Sequence, residues 1–154
     1  METINESIRV AMRTSQLPRP PKVPTAEDCM TKRVVTFRED QHITDVIDIL
    51  LKEHLSGGPV CDDHHRMLGM LSEMDCLRAI ASGAYDGEYH QPARTVREIM
   101  SRRTITVKLS DSIYTMAQMF DQHNVRRLPV IDEGIVVGQV SRRDMLTHIK
   151  HLFR

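Results

Sequence analysis

The sequence predicts an α+β fold: two β-α-β-β-α repeats related by a pseudo-twofold axis and packed into one compact module. Three observations carry this. "GMLSEMD" (Gly69–Asp75) and "GQVSRRD" (Gly138–Asp144) repeat glycine, serine and aspartate at one spacing. A shift of 70 residues lays Met30–Thr36 on Met100–Thr106, Ile43 on Ile113, Pro59-Val60 on Pro129-Val130 and Asp62 on Asp132. The chain has 154 residues, and a lone copy of roughly 50 residues buries too little apolar surface to stand comfortably alone, so two copies covering each other are expected.

The elements follow in order. Residues 1–25 read as an N-terminal helix and Pro-rich arm: Ile4, Ile8 and Met12 share a helical face, and residues 14–25 hold four prolines, which favour an extended chain. The first repeat spans 26–82, the linker 83–95 and the second repeat 96–154. "RVVTF" (Arg33–Phe37) and "TITV" (Thr104–Val107) are β-branched runs read as the first strands. Ile43, Val46, Ile47 and Leu50, then Ile113, Met116, Ala117 and Phe120, fall at helical spacing. "GPVCD" and "RMLGML" flank a turn over Asp62–His65; "LPVI" and "IVVGQV" flank Asp132–Gly134. Both read as hairpins. The last helix of each repeat starts at Ser72 or Ser141. "SGAYDGEYHQPART" (Ser82–Thr95) reads as the joining loop.

Composition narrows the function. No apolar run approaches the roughly 20 residues of a membrane helix, and the first residues lack the pattern of a secretory signal. Cys29, Cys61 and Cys76 form no Cys-x-x-Cys pair and read as reduced thiols of a cytoplasmic protein. The net charge is zero but uneven: residues 30–80 hold six Lys/Arg against nine Asp/Glu, residues 100–154 nine against five. The C-terminal half is therefore expected to favour anions. A sequence pI near 7.1 and 4% aromatics argue against nucleic acid despite three Arg-Arg pairs. Neither serine sits in a Gly-x-Ser-x-Gly elbow. His64-His65 and the pair His148/His151 lack cysteine partners at metal-ligand spacing. Neither hydrolysis nor a metal site is expected.

Ser-x-x-Asp at a helix start has two readings. Serine at the N-cap, with the unbonded N–H groups of the first turn, suits a phosphate. An ionised aspartate accepts hydrogen bonds from a ribose diol. A preceding glycine, Gly69 or Gly138, would let a ligand approach the backbone. The same residues also make a helix capping box, in which the carboxylate bonds back to the N-cap amide. Arg142 and Arg143 follow Ser141, where Glu73 and Met74 follow Ser72. Cations at a helix N-terminus oppose its dipole unless an anion is bound, so the Ser141–Asp144 end, with Arg102, Arg103, Arg126 and Arg127 in the same half, is expected to be the better phosphate site.

Taken together, "AEDCM" and "VREIM", the "GPV" and "LPV" strands and the two Gly-x-x-Ser-x-x-Asp endings resemble a tandem pair of CBS domains, the Bateman module, over residues 26–152. Copy one has Gly58 where an apolar residue is usual, and copy two has Arg127 where the first glycine is usual. The resemblance implies a regulatory, non-catalytic module. It would bind AMP, ADP, ATP or S-adenosylmethionine between its repeats, need no cofactor and act on an unknown regulated protein. It further implies that Thr36 and Thr106 meet the base, and that Pro59, Val60, Pro129 and Val130 give backbone groups and an apolar wall. Ser72, Asp75, Ser141, Arg142, Arg143 and Asp144 complete the expected contacts. A homodimer is expected through Leu50, Leu51, Leu55, Met116, Met119 and Phe120, whose methionines suit an adaptable interface. The alternative is a dimerisation scaffold with empty clefts.

Overall fold

The computed structural model describes residues 21–85 and 94–153, with the side chains of 83–85 excepted. The expected helix over 2–13, most of the proline arm and the middle of the linker lie outside these residues. The elements are α1 (Ala26–Cys29), α2 (Ile43–Lys52), β1 (Gly57–Cys61), β2 (Met67–Ser72), α3 (Glu73–Tyr85), α4 (Val96–Ile99), β3 (Val107–Lys108), α5 (Ile113–His123), β4 (Arg127–Asp132), β5 (Ile135–Ser141) and α6 (Arg142–Leu152). The fold is α+β, with β1 and β2 antiparallel in one sheet and β3, β4 and β5 in the other. Helix α3 runs to Tyr85, three residues into the stretch read as linker.

The two hairpins obey the same rules. Each ladder carries a bulge, at Val60/Cys61 and at Val130/Ile131. The turn of the second hairpin is Glu133-Gly134, both at positive φ (48° and 83°), the pair a type I′ turn requires. The first turn is longer. The Asp62 carboxylate accepts the His64 and Arg66 N–H groups at 2.8 and 3.0 Å, an Asx-type closure. The turns then pair with each other: Met67 N–H donates to the Gly134 carbonyl and Val136 N–H to that of His65, both at 3.1 Å.

The repeats of the sequence are not the lobes of the fold. The start of each repeat crosses to the other. Ala26 and Cys29 are buried in a core with Val107, Ile113, Met116, Leu128, Val130, Val140 and Met145. Val96 and Met100 are buried with Phe37, Val46, Leu50, Val60, Leu71 and Cys76. Backbone pairs fasten each crossing. Thr31 and Gln139 exchange hydrogen bonds at 2.9 and 3.0 Å, and Ser101 and Met70 at 2.8 and 2.9 Å. Each segment then returns to its own lobe, Phe37 beside Val60 and Val107 beside Val130.

That crossing explains a difference from the sequence reading. Arg33–Phe37 forms no strand beyond the Phe37 bridge, and of "TITV" only Val107 is paired. A segment spanning two lobes cannot ladder along one of them, whatever its β-branched content. The helix faces are as expected for Val46, Leu50, Ile113 and Met116, which are buried, whereas Ala117 is exposed. Leu50 and Met116, expected at a dimer interface, are therefore core residues. Met119, Phe120 and Leu55 pack against the cores, and of that set Leu51 alone is largely exposed, at 69%.

The glycines before the Ser-x-x-Asp motifs serve the crossing. A Cβ on Gly69 would lie 2.6 Å from the Ser101 carbonyl oxygen; on Gly138 it would meet Met30 Sδ at 2.5 Å and the Thr31 carbonyl at 3.1 Å. The backbone that approaches them is the chain's own. Gly69→Ala is expected to lower stability by about 1–3 kcal/mol, since a fixed carbonyl must move. Gly138→Ala should cost less, because the Met30 side chain can turn aside. Urea denaturation of both variants checks the order.

Candidate functional site: the cleft between the lobes

Four helices begin with the same device. Thr25 and Asp28, Ser72 and Asp75, Thr95 and Glu98, and Ser141 and Asp144 each stand three residues apart with the acidic side chain bonded back to the first residue's amide. At Ser141 the Asp144 Oδ2 accepts the Ser141 N–H at 2.8 Å and its hydroxyl at 2.7 Å, and the Asp144 N–H donates to Ser141 Oγ at 3.1 Å. At Ser72 the distances to Asp75 are 2.8, 2.9 and 3.2 Å. The capping reading of Ser-x-x-Asp is thus realised in both copies. "TAED" (Thr25–Asp28) and "TVRE" (Thr95–Glu98) carry the same signal.

Capping leaves acceptor capacity. An ionised carboxylate has about four lone-pair sites, and each box uses Oδ2 alone. Asp75 Oδ1 lies 3.6 Å from Arg78 Nη1, and the Asp75 side chain is 14% exposed. Donors are scarcer. Glu73 N–H is taken by the Ser56 carbonyl at 3.0 Å and Asp75 N–H by Ser72 Oγ. Free amides at this helix start are therefore fewer than a bare N-terminus offers, and side chains gain weight in holding an anion here.

Those side chains come from the other lobe. A cavity of about 440 Å³ opens between the lobes, within the usual range for small-molecule sites. One side is Ser56, Gly57, Ser72, Glu73, Met74 and Asp75. The other is Arg103, Ile105 and the run Asn124–Arg127. The crossing places them so: the segment 102–106 leaves Met70 of one lobe and enters the other at Val107. Three arginines that the sequence reading grouped with Ser141 thus face the Ser72–Asp75 helix start. Their charge therefore serves the Ser72 end, while Arg142 and Arg143 stay beside Ser141. Arg102 is drawn the other way, to Glu39, which also holds Arg97, at 3.3 and 3.2 Å.

The remaining expected residues are dispersed. Pro59, Val60, Pro129 and Val130 are buried strand residues, and the Pro59 carbonyl accepts the Phe37 N–H at 2.9 Å. Thr106 lines a separate groove beside the second hairpin turn, and Thr36 is half-buried at the end of its crossing. Arg142 is bonded to Val125 and Asn124, and Arg143 is exposed. All three cysteines are free and buried; burial pushes the Cys61 thiol up to about 11 and raises Cys29 and Cys76. Among the described residues no cluster of His, Cys, Asp and Glu could hold a metal, and no helix is long and apolar enough to cross a membrane.

The model of the CBS domain family matches residues 26–82 and 96–151. The chain belongs to the CBS domain family. It is similar to the CBS domain-containing protein YhcV of Bacillus subtilis, 31% identical over 122 residues, covering 79% of this chain and 82% of that one. The fold is that of the CBS pair of protein MJ0100, solved with 5′-methylthioadenosine and S-adenosyl-L-methionine: TM-score 0.68, 26% identity, 85% of this chain and 100% of that one. It also matches CBSX2, solved with AMP: TM-score 0.73, 24% identity, 84% and 98% coverage.

Because the protein's own groups close both caps, each carries stability of its own. Ser141→Ala is expected to destabilise the ligand-free protein by about 1 kcal/mol, within the 0.5–2 kcal/mol of lost N-caps. Thermal melting in the absence of nucleotide checks this.

Proposed function

We propose that the protein is a regulatory adenosyl-ligand-binding module whose principal site is the cleft between its lobes. One observation carries the reading: a capped Ser72-x-x-Asp75 helix start faces Arg103, Arg126 and Arg127 across a cavity of nucleotide size. The ribose diol donates to Asp75 Oδ1, leaving the capping box intact. The base rests on Met70, Ile105 and Val125, which line the same cavity. The phosphate or other anionic end meets the arginines, whose planar forks suit phosphate oxygens. The ligands of MJ0100 support an adenosyl class. AMP, ADP, ATP and S-adenosylmethionine are the compounds to compare.

Ser141, Arg143 and Asp144 form the pseudo-symmetric second position, with Thr36, Thr106 and the Pro-Val segments as more distant members of the two sites. Ligand in the cleft touches both lobes. It therefore favours whichever lobe arrangement it fits best and biases what a partner protein meets.

A second reading rests on the surface. Met74, Leu77 and Ile80 on α3 are 50–63% exposed, as are Leu51 and Leu146 to 69% and 66%. Met74, Leu77 and Ile80 recur at 3-residue intervals on one helix, as an unpartnered apolar stripe does. A homodimer that covers this stripe would serve as a scaffold even with empty clefts.

Calorimetric titration separates the readings. The wild-type chain is expected to bind one of these ligands, and Asp75→Ala to weaken binding tenfold or more, about 1.4 kcal/mol. Glu73→Gln is expected to strengthen phosphate-bearing ligands a few-fold, since it removes a carboxylate from the arginine-lined cleft. No heat with any of the four, together with a dimer in sedimentation, leaves the scaffold reading.

A further inference from the structure

Arg142 opens α6, where a cation faces the positive end of the helix dipole, an unfavourable position. The residue is exposed, yet its guanidinium is held by the chain. Nε donates to the Val125 carbonyl at 2.9 Å and Nη2 to Asn124 Oδ1 at 3.2 Å. Asn124 is the C-cap of α5 and is left-handed, φ 48° and ψ 35°, a conformation asparagine tolerates better than most residues. The guanidinium thus sits at the carbonyl-rich, negative end of α5, which offsets its poor position on α6. The two acceptors it holds belong to Asn124–Arg127, the segment that forms one wall of the inter-lobe cleft. The equivalent residue of the first repeat is Glu73, which lines that cleft from the other side and cannot make this contact.

We propose that Arg142 is a positioning residue: it pins Asn124 and Val125, and so fixes the direction in which Arg126 and Arg127 face the cleft. The inference rests on the cleft being the adenosyl-ligand site, as proposed above, and it makes the second Ser-x-x-Asp helix start a support for the site beside the first. A bidentate fork is needed because the acceptors are a backbone carbonyl and a side-chain amide on adjacent residues. A lysine can satisfy one of them at a time.

The test uses the full chain and Arg142→Ala, Arg142→Lys and, as a control for the lost charge, Lys150→Ala near the far end of the same helix. Two readouts are taken: amide hydrogen exchange of residues 124–127 without ligand, and AMP affinity by calorimetry. Arg142→Ala is expected to speed exchange across 124–127 and to raise the Kd about fivefold, the scale of one ordinary hydrogen bond. Arg142→Lys should recover part of both, and Lys150→Ala should move neither. Weaker binding with unchanged exchange would mean that Arg142 touches the ligand itself, which overturns the positioning role. Faster exchange with unchanged affinity overturns its link to the cleft. If the wild-type chain takes no AMP, the adenosyl reading fails for that ligand, while unchanged exchange in Arg142→Ala still rejects the pinning of Asn124 and Val125.

Discussion

The exchange of opening segments between the lobes is the constraint on which everything else rests. Thr31 bonds Gln139 and Ser101 bonds Met70, so neither lobe is complete without residues from the other repeat. Val96 is fully buried, beside Met100, in a core otherwise built by the first repeat. Burying a valine fully is worth about 1.5–3 kcal/mol, and that gain exists only while the lobes are docked. The same constraint fixes Gly69 and Gly138, since a carbonyl or thioether of the crossing chain occupies the place of their Cβ atoms.

The cleft is a consequence of that exchange. A segment crossing from Ser101 to Val107 must pass over the gap between the lobes, and Arg103 and Ile105 pass with it. The acidic first repeat thereby receives cations from the basic second one. Charge that looks segregated along the chain is brought face to face in space, giving one cavity both carboxylates and guanidinium groups, the pairing the proposed ligand needs. The closed capping boxes do not conflict with this use, because each leaves a carboxylate oxygen unspent.

Much of this was legible beforehand. The repeat, the hairpins, the helices starting after Ser72 and Ser141 and the buried faces of Val46, Leu50, Ile113 and Met116 follow from pattern and turn chemistry. The destination of the opening segments did not. "AEDCM" and "VREIM" are equally apolar wherever they dock, and periodicity within a repeat cannot say whose core receives them. Without that, Arg103, Arg126 and Arg127 group with the helix start of their own repeat, Ser141. Gly138 was read as room for a ligand when it is room for Met30 and Thr31. The capping alternative is visible in Ser-x-x-Asp, whereas Thr25-x-x-Asp28 and Thr95-x-x-Glu98 carry the same box with no strand before them to mark it.

The central claim is that a ligand binds across the lobes with its sugar on the first helix start and its anion on arginines of the second repeat. A crystal structure of the protein grown with saturating AMP tests it most directly. The account predicts the ribose hydroxyls within hydrogen-bond distance of Asp75 Oδ1, the capping bonds of Ser72 preserved, and the phosphate among Arg103, Arg126 and Arg127. Nucleotide seated elsewhere with this cleft unoccupied, or a phosphate turned away from those arginines, would contradict it.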